Sequence, residues 1–183
     1  MLHKTEDKRQ DNFFDVCSQC RTSYSCCHGT RPPITKQRKK IIEEYLKKTN
    51  SSLAGTFSET DYIFPRESPE GYCIFHDMKT RKCLIHTVKP ETCIAGPVTF
   101  DINRRTGRIE WFLKMDRICQ LAGMLYANKE TLEKHLVSAK GELLALVRDL
   151  DSGSLKAILK KDEPETFRMG EDTIEDDILN KLK

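Results

Sequence analysis

The sequence predicts an α+β fold: a small, irregular cysteine-rich region with short antiparallel strands or hairpins, packed against three or four helices. Three observations carry this. Val98 to Ile102 and Ile109 to Leu113 alternate with period two, and Asn103 to Gly107 between them forms a hairpin loop ending in glycine. Residues 36–49 and 131–150 repeat apolar residues at helical spacing. Seven of the eight cysteines precede residue 100, in segments outside the 36–49 helix where no long periodic element is legible.

In chain order, residues 1–16 read as a flexible entry ending in the apolar anchor Phe13, Phe14 and Val16. Cys17 to Cys27 is too dense in Cys and Ser for a regular element. Arg31-Pro32-Pro33 forces an extended turn. Thr35 then caps a helix over 36–49 with Ile41, Ile42, Tyr45 and Leu46 on one face. Residues 50–58 and 65–71 are loops around a short anchor, Tyr62-Ile63-Phe64. Tyr72 to Phe75 and Cys83 to Ile85 are short strand candidates joined by a charged turn. Asp116 caps a helix over 117–127 built on Ile118, Leu121, Ala122 and Leu125. Thr131 opens a longer helix with Leu132, Leu136, Ala139, Leu143, Val147 and Leu150 at helical spacing. Asp151-Ser152-Gly153 breaks it before a short helix carrying Leu155, Ile158 and Leu159. Residues 162–170 read as a linker, and Thr173 to Leu182 as an acidic helix with Ile174, Ile178, Leu179 and Leu182.

The chain has 183 residues, 38% apolar and 32% charged, which suits one ordinary domain with an appendage. The expected division is a cysteine-cluster domain over 1–127, a helical extension over 128–161 and an acidic tail over 162–183. No run approaches the ~18 apolar residues of a membrane helix. Met1 to Gln10 is charged and lacks a secretory core, so the expected location is the cytoplasm, with no membrane partner. Residues 1–50 carry net +5 and residues 162–183 net −5. The acidic end reads as a solvated tail, or as a docking segment for an unidentified protein partner. An overall charge of +3 is too small to point to nucleic acid, and Lys36 to Lys40 reads as the solvated face of its helix.

The cysteines stand at 17, 20, 26, 27, 73, 83, 93 and 119. In a reducing compartment such a cluster signals metal binding or redox chemistry more than disulfides. Cys17-x2-Cys20 can turn two thiolates onto one ion. Cys26 and Cys27 are adjacent, and neighbouring residues direct their side chains apart. They are therefore expected to serve two sites, or two metal atoms of one cluster, with a vicinal disulfide as a minor alternative. Cys73, Cys83 and Cys93 recur every ten residues, which would return each to the same end of a small sheet.

The order C-x2-C, CC, C-x9-C, then a Pro three residues before the last Cys and another four after it, resembles the YkgJ-type cysteine-cluster family. That family is also called the CxxCxxxxCC domain, and zinc or iron chelation is ascribed to it. The resemblance covers about residues 14–100 and places Cys17, Cys20, Cys26, Cys27, Cys73, Cys83 and Cys93 on the family's cysteines. Lys89-Pro90-Glu91-Thr92-Cys93 falls on its Arg-Pro-x-x-Cys stretch. The chain departs by having five residues before Cys26-Cys27 instead of four, and Ile94 and Gly96 near Pro97, where the family favours Arg and an aromatic.

Zinc and iron–sulfur clusters both accept four thiolates. Eight cysteines can make two such sites, with Cys119 as the eighth metal ligand presented from its helix. Alternatively four hold one [4Fe–4S] cluster and the rest pack or act in redox chemistry. His28, His76 and His86 sit at or near zinc spacing but read as partly exposed or supporting groups, and His135 as a surface or interhelix residue. Trp111, Phe112 and Met124 fit core packing. P-loop, G-x-G-x-x-G, H-E-x-x-H, G-x-S-x-G and radical-SAM patterns are absent. The first expectation is a cytosolic protein whose cysteine cluster holds an iron–sulfur cluster or zinc. The alternatives are an iron–sulfur-dependent modifying or redox enzyme, resembling the cysteine domain of flagellin lysine N-methylases, and a metal carrier or partner-docking module.

Overall fold

Thr35 caps the first helix as its sequence implies. Its backbone is extended, and its side-chain oxygen accepts the Arg38 N–H at 2.9 Å. This helix, α1, runs Lys36–Lys48. The computed structural model describes residues 17, 20, 26–51, 55–161, 163 and 165–183. The apolar entry at Phe13, Phe14 and Val16 lies outside the described residues. Ile42 and Leu46 are buried, Tyr45 packs beside them, and Ile41 is 38% exposed. Ile41 was expected on the buried face, but one residue along a helix is a rotation of about 100°, which carries it to the shoulder.

Residues 50–58 were expected to be loop, yet β1 (Phe57–Glu59) pairs antiparallel with β2 (Ile63–Pro65) in the register Ser58 with Phe64. Three-residue strands are too short to show a period. The strands expected over 72–75 and 83–85 do not form. Isolated bridges join Glu67 to Cys73 and His76 to Cys83, separated by tight turns. A 3₁₀ turn (His86–Val88) and a five-residue helix α2 (Glu91–Ala95) follow.

The hairpin matches its prediction. β3 (Val98–Asn103) pairs with β4 (Arg108–Lys114), from Val98 opposite Leu113 to Asn103 opposite Arg108. Gly107 takes φ 64° at the turn, a conformation that favours glycine. Ile109, Trp111 and Leu113 are each fully buried on one face.

The expected linker over 162–170 is replaced largely by a strand. β5 (Thr166–Thr173) lines β4, giving the order β3-β4-β5. Trp111 faces Gly170 while Phe112 faces Arg168, so Met169 is an extra residue in a β-bulge. That bulge breaks the alternation a sequence reading relies on. The Trp111 indole N–H donates to Asp172 at 2.6 Å, and Lys140 donates to the same carboxylate at 2.7 Å.

Four helices complete the fold: α3 (Gln120–Tyr126), α4 (Lys129–Asp149), α5 (Ser152–Ile158) and α6 (Asp176–Lys181). Asp116 does not cap α3. Met115 accepts the N–H groups of Ile118 and Cys119 in a separate turn, so the helix restarts from Cys119. α4 begins two residues earlier than expected, because Asn128 accepts the Thr131 N–H at 3.0 Å. Asp151 caps α5 through the Ser154 N–H, which is why the chain breaks there.

Two hydrophobic cores result. The larger joins the sheet to α3, α4, α5 and α6, and includes Ile174, Ile178 and Leu182. These acidic-end residues are therefore packed, where a solvated tail was expected. The smaller core is Ile42, Leu46, Phe75 and Ile85. Met124, expected in a core, is 56% exposed, and Phe112 is half-buried. Among the described residues no helix is long and apolar enough to cross a membrane.

Candidate metal centre

Backbone hydrogen bonds between distant segments bring the cysteines together. The Cys73 N–H donates to the Cys27 carbonyl at 2.7 Å, His28 bridges Tyr72, and the Gly29 N–H donates to Gly71 at 2.9 Å. Cys26-Cys27 is thus stitched to the segment before Cys73. Cys20 donates its N–H to the Cys17 carbonyl, and the Arg81 guanidinium donates to the Cys20 carbonyl.

Cys73 and Cys83 lie on two matching turns. The Cys73 carbonyl accepts the His76 N–H at 2.8 Å, and the Cys83 carbonyl accepts the His86 N–H at 3.2 Å. The residue two beyond each cysteine, Phe75 and Ile85, is fully buried in the smaller core. The backbone N–H of that same residue faces the cysteine sulfur and favours its thiolate form. The ten-residue period therefore records a repeated turn with a hydrophobic pin, and no strand is needed. The Asp77–Lys82 loop closes between them, with Arg81 at φ 58°.

Cys93 rides on α2, seated through buried Glu91 and Ala95. Cys119 occupies the N-cap of α3 with an extended backbone, and was expected within the helix itself. From there its sulfur faces the N–H groups of Leu121 and Ala122 without closing a capping bond.

All eight cysteines are free thiols, so no vicinal disulfide forms. Desolvation is the main influence on most of them: it raises Cys73 to about 11 and Cys93 well above the usual thiol range, and neighbouring groups desolvate Cys17 to about 11 although that residue keeps an exposed face. Burial also raises Cys83 and Cys119. Cys26 is the common neighbour: its charge acts on Cys17, Cys27, Cys73, Cys83, Cys93 and Cys119. Cys26 and Cys27 were expected to point apart, but their thiols hydrogen-bond. Cys27 is the donor, which pulls Cys26 down and pushes Cys27 up.

Lys89 went unnoticed as a contributor in the sequence. Half-buried after the 3₁₀ turn, its ammonium lowers Cys17, Cys26, Cys83 and Cys93, and Lys114 adds to the effect on Cys26. The sequence marks it only as the basic residue four before Cys93, because its role depends on where the turn delivers it. His28 meets the Tyr72 ring edge-on, His76 stacks on its face at 5.1 Å, and buried His135 bonds the Ala95 carbonyl at 2.9 Å. Among the described residues, no three His, Cys, Asp or Glu side chains converge tightly enough to hold an ion. The thiols form a shared neighbourhood, and coordination requires them to draw inward.

A cluster of reduced thiols assembled from distant segments defines a class of cysteine-cluster proteins, and this chain belongs to the CxxCxxCC family. The family's model, described as "Putative zinc- or iron-chelating domain", matches residues 16–120, more than half of the chain. Among individual proteins, the chain is similar to the uncharacterised protein MJ0661 of Methanocaldococcus jannaschii, 31% identical over 109 residues. That match covers 56% of this chain and 58% of the relative's length. No solved structure matches the chain.

Proposed function

We propose that this protein is a metal-binding protein of the cytoplasm whose cysteine thiolates, Cys17, Cys20, Cys26, Cys27, Cys73, Cys83, Cys93 and Cys119, chelate zinc or an iron–sulfur cluster. The observation that carries this reading is the shared electrostatic neighbourhood of eight free thiols drawn from segments up to a hundred residues apart. Thiolates that share one neighbourhood repel, and a bound cation offsets that repulsion.

The donor set suits the group. Soft thiolates select zinc and iron–sulfur clusters. The Phe75 and Ile85 N–H groups stabilise thiolates at Cys73 and Cys83, while Lys89 supplies compensating charge. Bound zinc would supply a redox-inert cross-link, and an iron–sulfur cluster one-electron chemistry. Either would also contribute folding free energy, on the order of 10 kcal/mol for a structural zinc.

The test is metal, sulfide and ultraviolet–visible analysis of protein purified anaerobically. A brown protein containing iron and sulfide, or a colourless one with stoichiometric zinc, supports the reading. A folded protein free of both metals overturns it.

A further inference from the structure

We infer that the groove between α1 and α4 binds a small linear diamine, through carboxylates along its length and an apolar floor between them. The inference stands apart from the metal-binding reading, because no cysteine lines this groove.

The groove has a volume of about 550 Å³, within the roughly 300–1,000 Å³ of small-ligand clefts. Ile41 of α1 and Gly141 and Ala145 of α4 give it apolar surface. Gly141 lies in the interior of α4, where glycine weakens a helix relative to alanine. Such a glycine ordinarily admits a close neighbour. Here a Cβ would meet nothing within 4 Å, so no described part of the chain uses the room that the missing side chain leaves.

Charge identifies the ligand. Glu91 lines the groove, and its side chain is only 4% exposed. Thr35 and Arg38 both address its Oε1, at 2.7 and 3.6 Å, and leave Oε2 buried without a partner among the described residues. A buried acceptor without a donor is costly, and a donor from outside the chain relieves that cost. Arg38 also donates to Oε2 of Glu142 at 2.7 Å, and Oδ2 of Asp149 accepts the Lys36 N–H at 3.3 Å. Each of these carboxylates has a second oxygen to offer. Arg148 lines the groove too, but both oxygens of Glu175 hold its guanidinium, at 3.1 and 3.2 Å. With Arg148 set against Glu175, the lining opposes Glu91, Glu142 and Asp149 to Arg38 and favours a cation. Among the described residues these carboxylates do not converge on a metal ion, which leaves an organic cation.

Glu142 and Asp149 are seven residues apart on α4, which is two helical turns or roughly 10 Å. A short methylene chain with an ammonium at each end spans that interval. Its methylenes lie on Ile41, Gly141 and Ala145, and its ends donate to the two carboxylates. An ammonium has three donors, so the one beside Glu142 can also serve Glu91, which Arg38 joins to Glu142.

The test is isothermal titration calorimetry of the full-length protein, as purified, with 1,4-diaminobutane and 1,5-diaminopentane. Butylamine and succinate are the comparators. One diamine should bind per chain, about tenfold more tightly than butylamine, and succinate should not bind. Gly141→Leu fills the groove from a helix position that has room for the side chain, and should abolish binding. Asp149→Asn keeps an acceptor for the Lys36 N–H and should weaken binding about tenfold. Glu133→Gln, exposed on α4 outside the groove, should bind like the wild type. Should Gly141→Leu fail to fold by circular dichroism, Asp149→Asn against Glu133→Gln still decides. Absence of diamine binding, equal affinity for butylamine, preference for succinate, or equal loss in Glu133→Gln and Asp149→Asn overturns the assignment and leaves metal binding untouched.

Discussion

The Thr35 hydroxyl donates to Glu91 across 2.7 Å, with both residues almost wholly buried. Thr35 caps α1, and Glu91 opens the helix that carries Cys93. Arg38 lies 3.6 Å from the same carboxylate and bonds Glu142 of α4 at 2.7 Å. Arg38 thus pins α1, the Cys93 turn and the long helix together. The second oxygen of Glu91 has no partner among the described residues.

Glu91→Ala leaves the Arg38 charge and the Thr35 hydroxyl short of a buried acceptor. It should destabilise the protein by about 2–4 kcal/mol. Glu91→Gln keeps an acceptor for Thr35 and should cost less. Urea unfolding followed by circular dichroism measures both, and equal costs would show that the acceptor is irrelevant.

The pins of the two matching turns invite a second substitution. Phe75→Ala empties a site in the smaller core and should cost about 3–5 kcal/mol. It should also loosen the turn that presents Cys73, so the variant should release metal to a chelator faster than the wild type. Unchanged release with reduced stability would separate the core from the cysteine turn.

Ile178 tests whether the acidic end is part of the fold. It is fully buried in the larger core. Ile178→Ala should cost about 3 kcal/mol by thermal or urea unfolding. A solvated tail would give no change.

His135 supplies a pH signature. Burial, reinforced by Lys89, holds its imidazole below the usual value, although the Ala95 carbonyl opposes the shift. A group whose folded pKa is depressed binds protons better when unfolded. Its contribution is complete above the unfolded pKa of about 6.5 and is lost as the pH falls from there through the lower folded pKa. Nuclear magnetic resonance should show the His135 ring titrating below the ordinary histidine value of about 6.5, and titration above that value would contradict the burial argument.

The sequence made some of this legible for identifiable reasons. Thr35, the β3–β4 hairpin and the face of α4 follow from capping chemistry and periodicity that tertiary contacts leave intact. The ten-residue period of Cys73, Cys83 and Cys93 was also readable. Its cause was not, because a turn pinned by Phe75 or Ile85 leaves the same spacing as a short strand. β5 was hidden by its bulge at Met169 and by its charged residues. The Cys119 position was misread because Asp116 offers a plausible cap, whereas Met115 takes the N–H groups that would have continued the helix upstream. Lys89 and Glu91 depend on distant partners, which no local pattern encodes.

The most direct test of thiolate coordination is X-ray absorption at the edge of the metal bound to anaerobically purified protein. An inner shell of sulfur alone, about 2.3 Å away for zinc, is the predicted result. A shell dominated by nitrogen or oxygen would contradict it.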